Sequence, residues 1–376
     1  MKFLIAPDKF KHSLSSFEAA EAITEGLLLA NSSFRIIKHP LADGGDGFAD
    51  VLGRYLDSEK VTVTTLDPLF REIITSYYFS STTQTAVLEM AKASGLMLLK
   101  ESEYNCLYTS SIGTGLMVLD AVKRGAKTIF LGLGGSATND GGIGMASALG
   151  IRFLDKDGKE LSPIGKNLIR IASIDTSTAL RLDGLTFEIA CDVQNPLTGG
   201  NGGTYVYSAQ KGATEEDAQA LEEGMQNYAA ILKRDLGIDV DEVPGAGAAG
   251  GLGAGCIAFL GGRLKKGIQM IFDYAGTEER VKEVDYVITG EGKLDSQSFD
   301  GKVLSGLNDL CQKYQVPLVT LCGTVETDYE VLRQLGIEKA ISVTPSDMDW
   351  ETAREGAFDL LVEAARSLAL KHFRFS

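Results

Sequence analysis

The chain of 376 residues is too long for a single hydrophobic core and suggests two or three domains. Its hydrophobic content of 44% and charged content of 23% are those of an ordinary globular protein. The formal net charge of −15 argues against a nucleic-acid partner or an anionic membrane, because either needs a basic face. Five cysteines without a C-x-x-C pair point to a reducing compartment, so we expect a cytoplasmic location.

Glycine is the outlier in this composition. It makes up 43 of 376 residues, well above the usual ~7%. The glycines are clustered, which suggests several loops whose backbone comes close to a ligand. The negative net charge still allows an anionic small substrate if positive groups are gathered locally.

The chain opens with a strand, a loop and a helix. An apolar strand over Phe3–Ala6 leads into a loop where Lys9 and Lys11 lie beside Asp8, and the following helix starts with a capping box at Ser15. Lysines next to an aspartate suit an anion bound beside a metal or a proton acceptor. A solvated run of charges accounts for the same residues equally well.

A second unit of the same kind follows. A strand over Phe34–Leu41 leads into an Asp- and Gly-rich loop and then a helix that begins near Phe48. Two strands that each end in an Asp-bearing loop before a helix are typical of the carboxyl edge of an open parallel sheet, where ligands bind. Asp43 and Asp46 could hold Mg²⁺ through water, or Asp46 could cap the helix.

After residue 57 the pattern changes. Val61–Thr65 and Ile73–Phe79 alternate polar and apolar residues as strands do, and Ala86–Met90 is a further strand candidate. This change predicts that a second domain begins near residue 62.

The most informative stretch runs from Lys127 to Gly150. A buried strand is predicted over Thr128–Leu131 and a helix just after Asp140, which would aim its N–H groups and positive dipole end into the turn between them. Glycines and small polar residues fill that turn: Gly132, Gly134, Gly135, Ser136, Thr138 and Asn139. Such a turn can cradle a phosphate or carboxylate.

The same turn is compatible with two different roles. Gly132, Gly134 and Ala137 satisfy G-x-G-x-x-A, and Asp155 lies close to where a ribose-binding acid would be, so a dinucleotide-binding oxidoreductase is a rival. A tight strand-to-helix turn without any ligand is the remaining alternative.

Two further loops carry candidate chemistry. Asp192 follows a strand over Phe187–Ala190 and is a plausible general base or metal ligand, or else part of an Asx turn before Pro196. Gly245–Gly255 also contains G-x-G-x-x-G but follows acidic residues rather than an obvious strand. A second loop-to-helix phosphate site or tight helix packing fits it better than a dinucleotide site.

The strand, loop and helix rhythm returns after Ile268. Strands are predicted over Asp285–Thr289, Val316–Leu321 and Ala340–Val343, and a helix over Ala353–Leu370. The loop over residues 290–298 holds an acid, a base and amide donors, among them Lys293 and Asp295.

These elements predict an α/β protein of two domains. An open parallel Rossmann-like sheet domain of about five strands would comprise residues 1–62 plus 265–376. A larger inserted mixed α/β domain with glycine-rich phosphate-binding loops would comprise residues 63–264. A cleft between the domains would be the default ligand site.

With these loops identified, the chain resembles the glycerate kinase family of bacterial type, whose members phosphorylate glycerate at the 2-hydroxyl. The resemblance covers essentially the whole length, through segments that occur in the family's order: APDKFKHSLSS, LADGGDGF, DPLFR, LEMAKASGL, IGTGL, GLGGSATNDGGIGM, ACDVQNPLTG, QKGAT, GAGAAGGLGAG and ITGEGKLDSQSFDGK. Departures are local. Phe70 stands where a glycine is usual, and Tyr207-Ser208-Ala209 replaces a common glycine and proline.

The resemblance implies transfer of a phosphoryl group from ATP to D-glycerate with Mg²⁺, most simply to give 2-phosphoglycerate. It implies no nucleic-acid or membrane partner and allows a homo-oligomer. Because no G-x-x-x-x-G-K-[ST] motif is present, the phosphates must bind to other glycine loops. We therefore expect these roles: substrate binding by Lys9, Lys11, Ser13 and Arg71; phosphate binding by Gly134, Gly135, Ser136, Thr138, Asn139, Asp140, Gly247, Gly250 and Gly251; Mg²⁺ binding by Asp43 and Asp46; and catalysis by Asp192 as the base, with Lys293 and Asp295.

Overall fold

A computed structural model describes residues 1–295 and 303–373, so the predictions for residues 296–298 lie outside the described residues. The strands are β1 (Lys2–Ile5), β2 (Arg35–Lys38), β3 (Glu59–Leu66), β4 (Glu72–Ser80), β5 (Thr85–Glu89), β6 (Thr128–Gly132), β7 (Arg152–Leu154), β8 (Ser173–Asp175), β9 (Thr186–Ala190), β10 (Arg263–Lys265), β11 (Tyr286–Leu294), β12 (Leu318–Val325) and β13 (Ile337–Ser342).

The α-helices are α1 (Ser16–Ala30), α2 (Phe48–Tyr55), α3 (Ala91–Ser94), α4 (Ile112–Lys123), α5 (Ile143–Ala148), α6 (Gly203–Tyr207), α7 (Glu215–Leu236), α8 (Ala248–Leu260), α9 (Gly267–Ala275), α10 (Thr277–Lys282), α11 (Val303–Tyr314), α12 (Tyr329–Gln334), α13 (Trp350–Glu355) and α14 (Ala357–His372). Short 3-10 helices cover Leu96–Leu98, Glu101–Glu103, Gly165–Arg170 and Ala209–Lys211. Among the described residues, none of the helices combines the length and the apolar character that a membrane crossing needs.

The chain divides into two compact units. The first unit comprises Met1–Asp43 and Ile268–Ser376, and the second comprises Gly44–Gly267. In the first unit five strands form a parallel sheet in the order β13-β12-β11-β1-β2, as the sequence predicts. The helix α1 begins at the predicted capping box, in which the Ser15 hydroxyl accepts the Glu18 N–H and the Glu18 carboxylate accepts the Ser15 N–H.

The second unit contains a mixed sheet of six strands in the order β10-β9-β6-β5-β4-β3. The strands β3, β4 and β5 pair antiparallel, whereas β5, β6, β9 and β10 are parallel. The carboxyl ends of the parallel strands carry Glu89, Gly132 and Ala190, so the loops that follow these residues lie at one edge of the sheet. The fold class of α/β is confirmed.

The observed division differs from the predicted boundaries after residues 62 and 264. The helix α2 belongs with the second unit because its side chains and backbone contact β4 and β5. The Tyr78 hydroxyl donates to Asp50 Oδ1 (2.7 Å), and the Ala49 N–H donates to Glu89 Oε1 (2.8 Å). The apolar pattern of a helix gives its period but not the sheet on which it packs.

Two predicted elements have different ends in the structure. A loop is predicted over residues 290–298, but residues 290–294 continue β11, because β12 is long enough to pair with them as far as Leu294 and Val325. The helix predicted over Ala353–Leu370 is two helices, α13 and α14, separated at Gly356. The end of β11 depends on its pairing with β12, and the break at Gly356 depends on the packing of the two helices. The sequence of one segment reveals neither.

Candidate functional site

In the first unit, Asp8 lies in the loop that follows β1, three residues after the strand ends, and is buried. Its Oδ1 accepts the Lys9 N–H (2.7 Å), and its own N–H donates to the Gly290 carbonyl (2.9 Å). Burial and the nearby carboxylates of Asp43 and Glu291 together raise the pKa of Asp8 to about 7, burial having the largest effect and Lys9 opposing it. A carboxyl group with a pKa near 7 can exchange a proton at neutral pH.

A pocket opens beside Asp8, beyond the carboxyl end of β1 and along the middle of β11 and the first residues of β12. Its lining residues are Asp8, Thr289, Gly290, Glu291, Val303, Leu304 and Thr320. The Thr289 hydroxyl donates to the Ala6 carbonyl (2.8 Å), which ties β11 to the end of β1.

The predicted substrate residues of the first loop have different environments. Lys9 is half-buried and Lys11 is exposed. The Ser13 hydroxyl donates to the Phe10 carbonyl (3.1 Å), so it closes a tight turn in which Phe10 also forms a bridge with Leu14. Ser13 thus has a role in the shape of the loop, and its contact with substrate stays a prediction.

Lys293 lies on β11 rather than in a loop. Its Nζ is 2.9 Å from Glu326 Oε2 and 3.8 Å from Asp295 Oδ2. About half of the Lys293 side chain is exposed, at 51%. Ion pairs with this exposure contribute little to stability, so the three charged groups can rearrange when a ligand binds.

Asp192 follows β9 in the second unit, and both of its carboxylate oxygens accept backbone N–H groups. Oδ2 accepts from Gly44 (2.7 Å) and Oδ1 accepts from Gly267 (2.9 Å). Gly44 and Gly267 are the first and last residues of this unit. A Cβ atom on Gly44 would lie 2.7 Å from Asp192 Oδ2, so the contact requires glycine there.

The glycine-rich turn after β6 has an exposed part and a buried part. Gly135 is exposed and has a φ of +73°, whereas the residues from Ser136 to Asp140 are buried. The helix α5 begins after Asp140, as predicted.

Asp140 is completely enclosed by donors. Its carboxylate accepts the Ser111 N–H (2.7 Å) and hydroxyl (2.8 Å), and the N–H groups of Gly142 (3.1 Å) and Gly144 (3.2 Å). Burial raises the pKa of Asp140, and these hydrogen bonds oppose that shift. The side chain therefore ties the starts of α4 and α5 together, and its contact with a phosphate stays a prediction.

The glycines of the second glycine-rich segment face the first segment within the same unit. The Gly141 N–H donates to the Gly250 carbonyl (2.9 Å), and a Cβ on Gly250 would lie 2.1 Å from the Thr138 carbonyl. A Cβ on Gly247 would lie 2.2 Å from the Pro196 carbonyl. The structure thus has the tight backbone packing that the sequence allowed, and phosphate binding by Gly247, Gly250 and Gly251 stays a prediction.

Arg71 lies in a strained loop of the second unit. Its Nε donates to Asp67 Oδ2 (2.5 Å) and its Nη1 to Glu103 Oε1 (2.7 Å), and these hydrogen bonds raise the pKa of Arg71, Glu103 having the larger effect. Phe70, just before it, has a φ of +63°, a conformation that favours glycine.

The two predicted Mg²⁺ ligands, Asp43 and Asp46, belong to different units. Asp43 follows β2 and raises the pKa of Asp8, whereas Asp46 is exposed in the turn before α2. Gly47 occupies the N-cap position of α2, so Asp46 is not the cap that the sequence allowed. The described residues contain no group of three or more His, Cys, Asp or Glu side chains placed to hold a metal.

Two buried charged residues are not indicated by the sequence. Glu89, 3% exposed, accepts the Ala49 N–H at the start of α2. Lys211, 2% exposed, donates to Ser136 Oγ and the Thr138 carbonyl. Glu89 ends a predicted strand and Lys211 lies in the QKGAT segment, but neither pattern reveals that these charges are buried.

Comparisons with known proteins agree with this fold. A family model described as the glycerate kinase family matches residues 3–372. The glycerate 2-kinase of Escherichia coli and the glycerate kinase of Bacillus subtilis are each 40% identical over 370 residues, which cover 98% of this chain and 97% of each relative. A crystal structure described as putative glycerate kinase 2 from Salmonella typhimurium LT2 matches with a TM-score of 0.87 at 38% identity and covers 98% of this chain and 97% of that one.

Proposed function

The chain belongs to the glycerate kinase family, and on that premise we propose that it transfers the γ-phosphoryl group of ATP to the 2-hydroxyl of D-glycerate, giving 2-phosphoglycerate. The name of the Escherichia coli relative, glycerate 2-kinase, supports the choice of hydroxyl. We retain a cytoplasmic location and the option of a homo-oligomer as predictions.

The observation that carries the proposal is the environment of Asp8. A buried carboxyl group with a pKa of about 7 lies on the same loop as Lys9 and Lys11. The reaction needs a group that accepts the hydroxyl proton and cations that hold the substrate carboxylate. Asp8 therefore joins Asp192 as a candidate base.

The two candidate bases differ in what surrounds them. Asp192 accepts two backbone N–H groups, and because a carboxylate has about four lone-pair sites, it can also accept a substrate hydroxyl. Asp8 lies near other carboxylates, which favour its protonated form and make it the better proton acceptor at neutral pH. Replacing each aspartate in turn by Asn shows which of the two is the base, because the amide keeps the shape of the side chain and cannot take up the proton.

The other roles stay with the residues that the sequence nominates. Lys9, Lys11 and Arg71 would bind the glycerate carboxylate, and the backbone at the half-buried Gly134 and the exposed Gly135 would approach the ATP phosphates. Lys293 and Asp295 would steady the charge that develops during transfer.

Asp43 and Asp46 supply the hard oxygen donors that Mg²⁺ prefers. This ion commonly binds one or two carboxylates and completes its shell with water and substrate phosphates, so the site needs no larger group of protein ligands. When bound, Mg²⁺ would offset the negative charge of the phosphates.

The rival function, a dinucleotide-binding oxidoreductase, finds no support in the site. Its candidate ribose-binding residue, Asp155, accepts the N–H groups of Asp157 and Lys159 (both 3.0 Å) within its own turn. The turn connects Leu154 to its bridge partner Glu160, as in a hairpin.

An assay coupled to enolase tests the proposal directly. Enolase dehydrates 2-phosphoglycerate to phosphoenolpyruvate and does not act on 3-phosphoglycerate. We expect phosphoenolpyruvate to form from D-glycerate and ATP without added phosphoglycerate mutase. A signal that appears only when the mutase is added would place the phosphoryl group on the 3-hydroxyl, and no signal in either case would contradict the kinase proposal.

A further inference from the structure

Lys211 is a buried charge that the proposed roles leave without a function. It ends the short 3-10 helix Ala209–Lys211 and is 2% exposed. Burying an ammonium group is unfavourable unless the protein supplies partners for it. An apolar residue of similar length would fill the same space without that penalty, so the charge calls for a specific reason.

Both described hydrogen bonds of this ammonium group go to the glycine-rich turn. Lys211 Nζ donates to Ser136 Oγ (2.8 Å) and to the Thr138 carbonyl (2.7 Å), one on either side of Ala137. The backbone of Lys211 is fixed as well, because its carbonyl accepts the Cys106 N–H (3.2 Å). The lysine therefore holds the turn from its buried side.

Further hydrogen bonds hold the same turn in place. The Ala137 N–H donates to the Ser94 carbonyl (2.9 Å), and the Thr109 hydroxyl donates to the Ala137 carbonyl (2.9 Å). These contacts fix residues 136–138 from the inside, while Gly135 remains exposed. The turn thus has one face occupied by protein and one face open.

We propose that Lys211 is a positioning residue for nucleotide binding, which fixes the turn over residues 134–138 and places a positive charge behind the face that receives the phosphates of ATP. The inference rests on the proposed assignment of this turn to the phosphates. A cation in a buried, low-dielectric position attracts an anion over a longer distance than an exposed lysine does, and it needs no reorganisation when the ligand arrives. Burial lowers the pKa of Lys211 to about 8, and the charges on Cys106 and Asp140 oppose that shift, so the lysine keeps its proton at neutral pH.

The test is the affinity for ATP of Lys211→Met, measured by titration calorimetry in the absence of glycerate. We expect the dissociation constant to rise about tenfold. The turnover number at saturating ATP should remain within about twofold, because Lys211 does not touch the reacting groups. If Lys211 only stabilised the fold, Lys211→Met would lower the fraction of folded protein, and the folded part would bind ATP as the wild type does.

Two controls accompany this variant. Lys123→Met removes the same charge from the exposed end of α4 and should leave the affinity for ATP unchanged. If Lys211→Met does not fold, Lys211→Gln provides the same comparison, since it removes the charge but keeps a hydrogen-bond donor.

A third variant separates the inference from the proposed function. Gly135→Asn places a side chain on the exposed face of the turn, with a residue that tolerates the φ of +73°, and should weaken ATP binding if the phosphates lie there. Unchanged affinity in the folded Lys211 variants, with a loss in Gly135→Asn, would overturn the inference and leave the phosphate assignment intact. Unchanged affinity in all of them would overturn the phosphate assignment and the inference with it.

Discussion

Asp8 and Asp140 are both buried aspartates that follow a parallel strand, yet their surroundings are opposite. Asp140 accepts four hydrogen bonds from Ser111, Gly142 and Gly144. Within the described residues, Asp8 accepts one, from the Lys9 N–H, and lies near the carboxylates of Asp43 and Glu291. A full set of donors thus makes a buried carboxylate a structural link, whereas few donors and nearby like charges leave a buried carboxylate able to accept a proton.

The largest expected effect is on stability at Asp140. Asp140→Ala leaves four buried donors without an acceptor and should lower the free energy of unfolding by about 3–5 kcal/mol. Denaturant unfolding measures it. The control Asp157→Ala, at an exposed position of a turn in the same unit, should cost much less. A loss below ~1 kcal/mol for Asp140→Ala would break the comparison, because its donors would then have found other partners.

Asp8→Asn should raise the free energy of unfolding, whereas Asp140→Ala should lower it. The variant keeps an acceptor for the Lys9 N–H and removes the buried charge. Because folding raises the pKa of Asp8 from 3.8 to about 7, the native state binds more protons than the unfolded state over this range, so the wild type loses stability as pH rises through it. Asp8→Asn should therefore be more stable than the wild type by up to about 4 kcal/mol at pH 8.

The advantage of Asp8→Asn should vanish near pH 3, where the carboxyl group is protonated in both states. Unfolding midpoints of both proteins across this pH range provide the measurement. Equal stabilities at pH 8 would mean that Asp8 carries no penalty from burial.

Asp192 lies between the two extremes, with two backbone donors. If it is the base, Asp192→Asn should lower turnover ~10²-fold or more and leave the KM for glycerate unchanged. Steady-state kinetics with Asp183→Asn, an exposed aspartate of the same unit, as the control decide this. Unchanged turnover would show that Asp192 is not the base. A raised KM with normal turnover would mean that Asp192 acts by fixing the backbone at Gly44 and Gly267.

The smallest expected effect concerns backbone strain beside Arg71. Phe70 is 40% exposed and has a φ of +63°, so glycine should fit this position better. Phe70→Gly should raise the free energy of unfolding by about 0.5–1 kcal/mol after the entropy of the more flexible unfolded chain is counted. Leu69→Gly, at a neighbouring position without a positive φ, should be destabilising. A loss of stability in Phe70→Gly would show that burial of the ring outweighs the strain.

The sequence was sufficient for the parallel sheet of the first unit and for the loops that follow β1 and β2. Short apolar strands such as Phe3–Ala6 and a capping box at Ser15 are local signals, and the structure contains both elements. The glycine-rich turn before Asp140 could be located in the same way, together with the helix that follows it.

The sequence could not distinguish the environments of the aspartates. The donors of Asp140 at Ser111 are 29 residues away along the chain, and the donor of Asp192 at Gly44 is 148 residues away. Contacts at such separations decide which carboxylate is surrounded by donors and which lies near like charges. A local sequence pattern does not reveal these contacts. For the same reason, the burial of Glu89 and Lys211 could not be predicted.

A titration of the protein with ¹³C-labelled aspartate, followed by NMR, measures the pKa of Asp8 itself. We expect an aspartate carboxyl resonance that titrates with a pKa of about 7 in the wild type and is absent in Asp8→Asn. If the resonance of Asp8 instead titrates near the ordinary value of about 4, the contrast with Asp140 fails. Asp8 would then be no better suited to accept a proton than any exposed aspartate.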